Sequence, residues 1–393
     1  MARNRVFYQS ESVFAGPDGA TGVHVDLVQG DDNLLEENNN IKRLQRIQSA
    51  NYSFTIDRTD VNQFGELAAI DRIILTSPTV SMDFSYILAN MANESILGFD
   101  IDGTNSAIAN ILDKSKDERN YFIKTSAEGV DNIGSEVSTA ETDTKLDGVI
   151  GIGNGFMTSY TAEGAVGDFP TASVSVEGLN MTFDQNTSGN IIPGIDPTDG
   201  SKISWLTYVL PTGMNSALST TVVGSNSTDL TTALRPGDIT FDLVPAGGAG
   251  EVDFAGMGSV DSANLQSFSC SFDMTRTPIE KLGSRFAFSR EIDFPITVTF
   301  TIDAVLGDLT NGNLSDIVDA DSSYDISVDL KGKDVNDSSN ASKAKYTVKK
   351  AKLDSQEFTS DIGSNKSVSL TFSAQVGGPN QSDVGLFMNG VNS

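Results

Sequence analysis

The strongest constraint on this chain is a phrase that it writes twice. Residues 275–284 read TRTPIEKLGS and residues 57–66 read DRTDVNQFGE. Both give Arg-Thr, a variable residue, an aliphatic, two polar residues, a bulky apolar residue and glycine. The letters predict one or two helical turns in each copy. Thr277 is a candidate N-cap, and Pro278 suits the first helical position, where a missing N–H costs nothing. Glu280 stands where a capping-box carboxylate reaches back to the cap. Ile279 and Leu282 would share one face, and Gly283 can take the left-handed conformation that ends a turn. Thr59, Val61, Phe64 and Gly65 repeat the plan, with Asp60 in the first turn where the dipole favours negative charge. Thr59, Gly65, Thr277, Pro278 and Gly283 are thus expected to set the turn. Phe54, Phe64, Phe272 and Leu282 are expected to anchor it to the core.

The match extends both ways without a gap. Ile47-Gln48-Ser49 pairs with Leu265-Gln266-Ser267, Ser53-Phe54 with Ser271-Phe272, Arg72 with Arg290, and Thr79-Val80 with Thr297-Val298. About a dozen identities over roughly forty positions exceed chance alignment. Flanking segments YSFTI (52–56), CSFDM (270–274), TVSMDFSYIL (79–88) and ITVTFTIDAVL (296–306) alternate apolar and polar residues, as half-buried strands do. Two further echoes follow in the same order. YFIKTSAEG (121–129) answers YDISVDLKG (324–332), and the hairpin FMTSYTAEG…TASVSVEGL (156–179) answers YTVKKAKLD…KSVSLTFSA (346–374). The expectation is a tandem duplication into domains 1–205 and 206–393. The junction falls within 185–235, a stretch rich in Gly, Pro, Ser, Thr and Asn.

Each half is long enough to bury about 70% of its unfolded surface and to hold its own core. Gly, Ser, Thr, Asn and Asp fill much of the non-hydrophobic remainder, which suits strands joined by turns. Helix is expected only at the repeated turn, 88–97 and 105–116. The fold class is mainly β: two tandem sandwich or barrel domains with short helices. No run of 18 apolar residues is present, and the start MARNRVFYQSESVF lacks a secretory signal's apolar core.

Catalytic chemistry finds few residues to work with. His24 is the only histidine and Cys270 the only cysteine, which removes Ser-His-Asp triads, Cys-His pairs, HExxH and cysteine zinc sites. Cys270, on a strand position that Tyr52 fills in the other copy, reads as a packed residue. GIGNG (151–155) lacks a following GKS or GKT and reads as a turn opening a hairpin. Asp100/Asp102 and Asp196/Asp199 read as Asx-stabilised turns, since neither completes a calcium loop. Asn51, Asn186, Asn226 and Asn340 head Asn-x-Ser/Thr triplets, a by-product of composition. No catalytic residue, cofactor or metal site is expected, and the chain is expected not to be an enzyme. A formal charge of −27 argues against a duplex-gripping protein. Lys331, Lys333, Lys343, Lys345, Lys349, Lys350 and Lys352 form a local exception, read as a solvated strand edge or a contact with an acidic neighbouring subunit.

Two stretches, NYSFTIDRTDVNQFGELAAIDRIILTSPTVSMDFSYIL (51–88) and GFMTSYTAEGAVGDFPTASVSVEGLNM (155–181), resemble the major tail tube proteins of tailed bacteriophages, in a duplicated-domain form. Through the repeat, the likeness reaches much of 265–376. It departs most over 310–345. The resemblance implies β-sandwich domains whose inner sheets join across subunits, six domains to a ring, and rings stacked into a DNA conduit. Three two-domain chains would close such a ring, with six chains as the alternative. Implied partners are further copies, a tape measure protein, a tail terminator and baseplate or tip proteins. DNA would pass without specific binding and no membrane is involved; the setting is the virion, assembled in host cytoplasm. The alternatives are another virion structural protein (a neck or tail completion ring, or a decoration protein) and a non-catalytic β-sandwich binding module. An acidic lumen would leave passing DNA hydrated rather than held by ion pairs.

Overall fold

The structure is a computed structural model. It describes residues 11–17, 42–125, 148–185, 239–246, 264–306 (apart from 285 and 288), 322–333, 340–360, 365–390 and a few short pieces between them. His24, Trp205, Asn186, Asn226, Asp199 and most of the expected junction lie outside these residues. Strands of the first half are β1 (Glu11–Pro17), β2 (Lys42–Arg43), β3 (Ile47–Thr55), β4 (Thr59–Val61), β5 (Asp71–Ile73), β6 (Thr79–Ile87), β7 (Glu118–Thr125), β8 (Gly148–Ala165), β9 (Thr171–Gly178) and β10 (Asn180–Gln185). Helices α1 (Ala92–Leu97) and α2 (Ala109–Leu112) fall inside the two segments expected to be helical. The second half holds β11 (Ile239–Pro245), β12 (Asp253–Phe254), β13 (Gly258–Ser259), β14 (Asn264–Asp273), β15 (Arg276–Ile279), β16 (Ser289–Ile292), β17 (Thr297–Val305), β18 (Tyr324–Lys333), β19 (Asn340–Thr359), β20 (Ser367–Gln375) and β21 (Gly385–Gly390). The fold is mainly β, as the alternating patterns required.

Two long strands organise it. The first part of β8 pairs with β7 and β10, and its last part pairs with β9 and β14. One strand therefore belongs to two layers. The first part of β19 likewise pairs with β18 and β21, and its last part with β20. Apolar side chains from both layers form one contiguous core running through both halves, including Phe84, Tyr121, Ile152, Phe272, Phe300, Tyr346 and Phe372.

The two halves use the same pairing map. Phe54 faces Val80 across β3–β6, and Phe272 faces Val298 across β14–β17, each partner displaced by 218 residues. The register break between Ile47 and Ser49 recurs between Leu265 and Ser267, at the same displacement. Across β8–β9 and β19–β20, Tyr160–Val174 and Gln356–Leu370 both shift by 196, as do the breaks at Met157/Ser159 and Leu353/Ser355.

The bend of each long strand repeats as well. Asn154 and Lys350, 196 apart, are both in the left-handed region, with φ of 52° and 55°. In each case a side chain of the neighbouring strand caps the bend. Asn154 N–H donates to Asn120 Oδ1 at 2.9 Å, and Lys350 N–H donates to Asp325 Oδ1 at 2.8 Å.

GIGNG is accordingly not a hairpin turn; it lies within β8 at this bend. A Cβ on Gly153 would stand 2.1 Å from the Pro193 carbonyl oxygen, so glycine there serves close backbone approach.

The repeated phrase is not helical either. In the first copy β4 pairs with β5, and in the second β15 pairs with β16, giving two short arms with Thr59 opposite Ile73 and Thr277 opposite Glu291. Thr277 Oγ1 donates to Asp293 at 2.8 Å instead of capping a helix, and Pro278 sits in a two-stranded edge. Gly65 and Gly283 do take positive φ, 94° and 89°. Phe64 and Leu282 are fully exposed at the arm tips and Phe54 is 54% exposed, against the expectation that they anchor the core; Phe272 is buried.

Candidate assembly interface

Strand order places a seam between the halves. The C-terminal part of β8 hydrogen-bonds along β14, with Cys270 opposite Ala162 and Phe272 opposite Tyr160. The sheet therefore runs β3-β6-β9-β8-β14-β17-β20-β19, four strands from each half joined edge to edge. Beneath the seam, Tyr160 stacks on Phe272 at 5.7 Å, and Phe99 meets both rings edge-on at 4.9 and 6.0 Å. Such ring pairs stabilise by about 0.5–1.5 kcal/mol beyond area burial.

A polar chain crosses the same place. Tyr160 Oη and Tyr346 Oη lie 2.8 Å apart, and Tyr160 and Tyr86 donate to Glu94 Oε1 at 3.0 and 2.7 Å. Complete burial raises the Glu94 carboxyl above its ordinary range and pushes the three tyrosines well up. Burial also pushes the Cys270 thiol up to about 12. The sole cysteine is thus a packed seam residue.

The second arm locks the seam from outside. Arg276 forms a two-point ion pair with Asp117, with both partners almost wholly buried, and its guanidinium lies 4.7 Å from the Phe156 ring centre. Arg290 pairs with Glu177, and Lys114 with Glu291 at 2.9 Å. A buried bidentate arginine is costly to break, because its partner would be left charged and unsolvated. The first arm has the same letters and, among the described residues, no such seat. Arg58, which matches Arg276, is exposed, and Arg72, which matches Arg290, pairs with the solvent-exposed Asp60 on its own arm. Phe64, Leu67, Ile70, Ile74 and Leu75 are all exposed on or beside that arm.

The outer strands of the eight-stranded sheet repeat this contrast. Among the described residues, β3 pairs only with β6, and the C-terminal part of β19 pairs only with β20. Phe358, at the position of the fully buried Ala162, is 45% exposed, and Phe54 holds the position of Phe272, which is 3% exposed.

The sheet's other face is lined differently. Cross-strand rows read Ser49, Ser85, Ser173, Thr161, Ser271, Thr299, Ser373, and then Thr171, Glu163, Ser269, Thr301, Thr371, Ser355. Asp83, Asp303 and Glu357 occupy neighbouring rows, and Ile87, Ala165 and Lys352 at the rim are exceptions. This is a hydroxyl and carboxylate surface some eight strands wide.

Other features singled out in the sequence lie away from it. Asp102 N–H donates to Asp100 Oδ1 and Thr104 N–H to Asp102 Oδ1, the expected Asx turns. No group of acidic, histidine or cysteine side chains able to hold a metal occurs among the described residues. The lysines of 331–352 do not form one patch. Lys343 is buried, Lys350 forms the β19 bend, and Lys349 lies 4.0 Å from the Phe387 ring centre.

Comparison with known proteins adds little. No protein-family model matches the chain, and no curated protein does. A chain of a solved assembly, the anti-feeding prophage (AFP) baseplate (a sixfold-symmetrised cryo-EM structure), aligns with 39% of this chain and 94% of its own length, at 10% identity and a TM-score of 0.26. A likeness that loose carries neither a fold family nor a role across.

Proposed function

We propose that this chain is a virion structural protein of the tailed-phage kind, one that polymerises into stacked rings forming a tail tube for DNA ejection. The role is structural, not catalytic. The observation that carries it is the seam: one chain contains a finished edge-to-edge joint between two matching four-stranded sheets, and among the described residues no strand covers the two outer edges of the same sheet. An exposed strand edge with apolar side chains is a pairing template, and ring closure removes it. The matched registers support two tandem domains, 1–205 and 206–393. The sequence likeness of 51–88 and 155–181 to tail tube proteins supports the kind of assembly.

In this reading three chains supply six domains to a ring. The hydroxyl and carboxylate face lines the bore, where the near-absence of Lys and Arg leaves a passing duplex hydrated and unbound. Partners are further copies, a tape measure protein within the bore, a tail terminator and the baseplate or tip, in a virion assembled in host cytoplasm.

Electron microscopy and mass measurement of purified protein test the reading. Hollow rings or tubes whose mass comes in multiples of three 41.7 kDa chains are expected. A chain that stays monomeric at high concentration, or a reconstruction with a bore lined by Lys and Arg, would overturn it.

A further inference from the structure

The seam inside the chain also specifies how two chains should meet. The residues of β8 that touch β14 have counterparts 196 positions on, in the C-terminal part of β19, and those of β14 have counterparts 218 positions back, in β3. Among the described residues, these counterparts are the two edges with no second neighbouring strand, at opposite ends of the eight-stranded sheet. We propose that β3 of one copy pairs antiparallel with the C-terminal part of β19 of the next, in the register of the internal seam. That register sets Asn51 opposite Thr359, Tyr52 opposite Phe358, Ser53 opposite Glu357, Phe54 opposite Gln356 and Thr55 opposite Ser355. The inference rests on the assembly reading above and goes further, by fixing which edges meet and which residues face each other.

Three observations favour this occupant over any other. First, the joint continues an interface that the chain already makes, and pleating places Tyr52, Phe54 and Phe358 on the face where Cys270, Phe272 and Ala162 are buried at the seam. The open edges therefore carry apolar side chains where a neighbouring sandwich would cover them. Second, the β3 edge is not defended. Segment 47–55 holds no charge and no proline, unlike the edges by which soluble sheets prevent pairing. Third, the two edges differ in charge. The β19 edge carries Lys352, Asp354 and Glu357, whereas β3 carries no charge, so the unlike joint sets no like charges opposite one another. A head-to-tail joint between unlike edges repeats, and closes into a ring where the rotation allows, whereas pairing of one edge with its like joins only two chains.

Cysteine cross-linking under mild oxidation decides the matter. Directly opposed residues of an antiparallel pair have Cβ atoms about 4.5–5.5 Å apart, within reach of a disulfide after small adjustment. Native Cys270 is buried and serves as an internal blank. Mixing an Asn51→Cys chain with a Thr359→Cys chain should give a covalent dimer, and the doubly substituted chain should give a ladder ending at the closed ring. Either single variant alone should give no covalent product. The pair Asn51→Cys with Glu357→Cys, slipped by two residues on the same face, should couple several-fold less. Rings visible by microscopy without 51–359 coupling, or with 51–357 coupling equal or stronger, would overturn the joint and leave the assembly standing. Covalent dimers from Asn51→Cys alone would overturn it in favour of like-edge pairing. Absence of both coupling and rings would overturn the joint and the assembly together.

Discussion

Strands β3 and β14 carry matching letters, pair with equivalent neighbours in equivalent register and break register at the same place. They differ in what lies on the other side. β14 has β8 there, and its alternate residues Phe268, Cys270 and Phe272 are buried; at the same positions in β3, Ala50 and Tyr52 are half-buried and Phe54 is exposed. The arms diverge in the same way: Arg276 is seated on Asp117 and Phe156, while Arg58 faces solvent. Burial is therefore not a property of the strand but of its flank. The first half shows what the second would look like with its neighbour removed.

The contrast can be broken in four places. The largest difference should be chemical. Tyr52→Cys places a thiol at the edge position that matches Cys270. Burial pushes the seam thiol up to about 12, whereas position 52 is only half-buried, so its thiolate fraction at neutral pH should be far larger. In unassembled chains, alkylation should mark residue 52 roughly a hundredfold or more faster than Cys270, as read by mass spectrometry of quenched samples. Comparable rates would mean that the seam opens freely.

Next is packing. Phe272→Ala should cost about 3–5 kcal/mol of unfolding free energy in denaturant titration, and Phe54→Ala less than about 0.5 in the unassembled chain. The same Phe54→Ala chain should fail to form rings by size-exclusion chromatography. The ion pairs come third. Arg276→Ala strands the buried Asp117 and should cost about 3 kcal/mol, against no more than about 0.5 for Arg72→Ala, whose partner is in water. Equal losses would show that the first arm has a seat after all.

The smallest effect should be shared rather than contrasted. Gly65 and Gly283 both hold positive φ with open space where a Cβ would go, so valine at either should cost about 1 kcal/mol by backbone strain alone. A thermal melt unchanged by Gly283→Val would remove the left-handed assignment.

The repeat, the strand segments and the hairpins at 156–179 and 346–374 were legible because alternation is a local signal and both copies carried it. The repeated phrase misled for the same reason. Threonine, proline and a carboxylate three residues on are local cap letters, but the strand opposite, Ser289–Ile292, lies beyond a loop and leaves no mark on those letters. Phe64 and Leu282 have the letters of core residues, and only the length of the arm beyond the sheet puts them in solvent. GIGNG looked like a turn because glycines mark turns as well as close approaches, and Pro193, which forbids a Cβ there, is forty residues away in sequence. The seam itself joins Tyr160 to Phe272, and no local pattern announces a pairing between strands that far apart.

One consequence of the internal seam is kinetic. A joint within a single polypeptide cannot be lost by dilution, because its two sides are tethered and always within reach of each other. If three such chains close a ring, its yield falls with about the third power of chain concentration, where six separate domains would give about the sixth. Half of such a ring's joints would already exist when each polypeptide finishes folding.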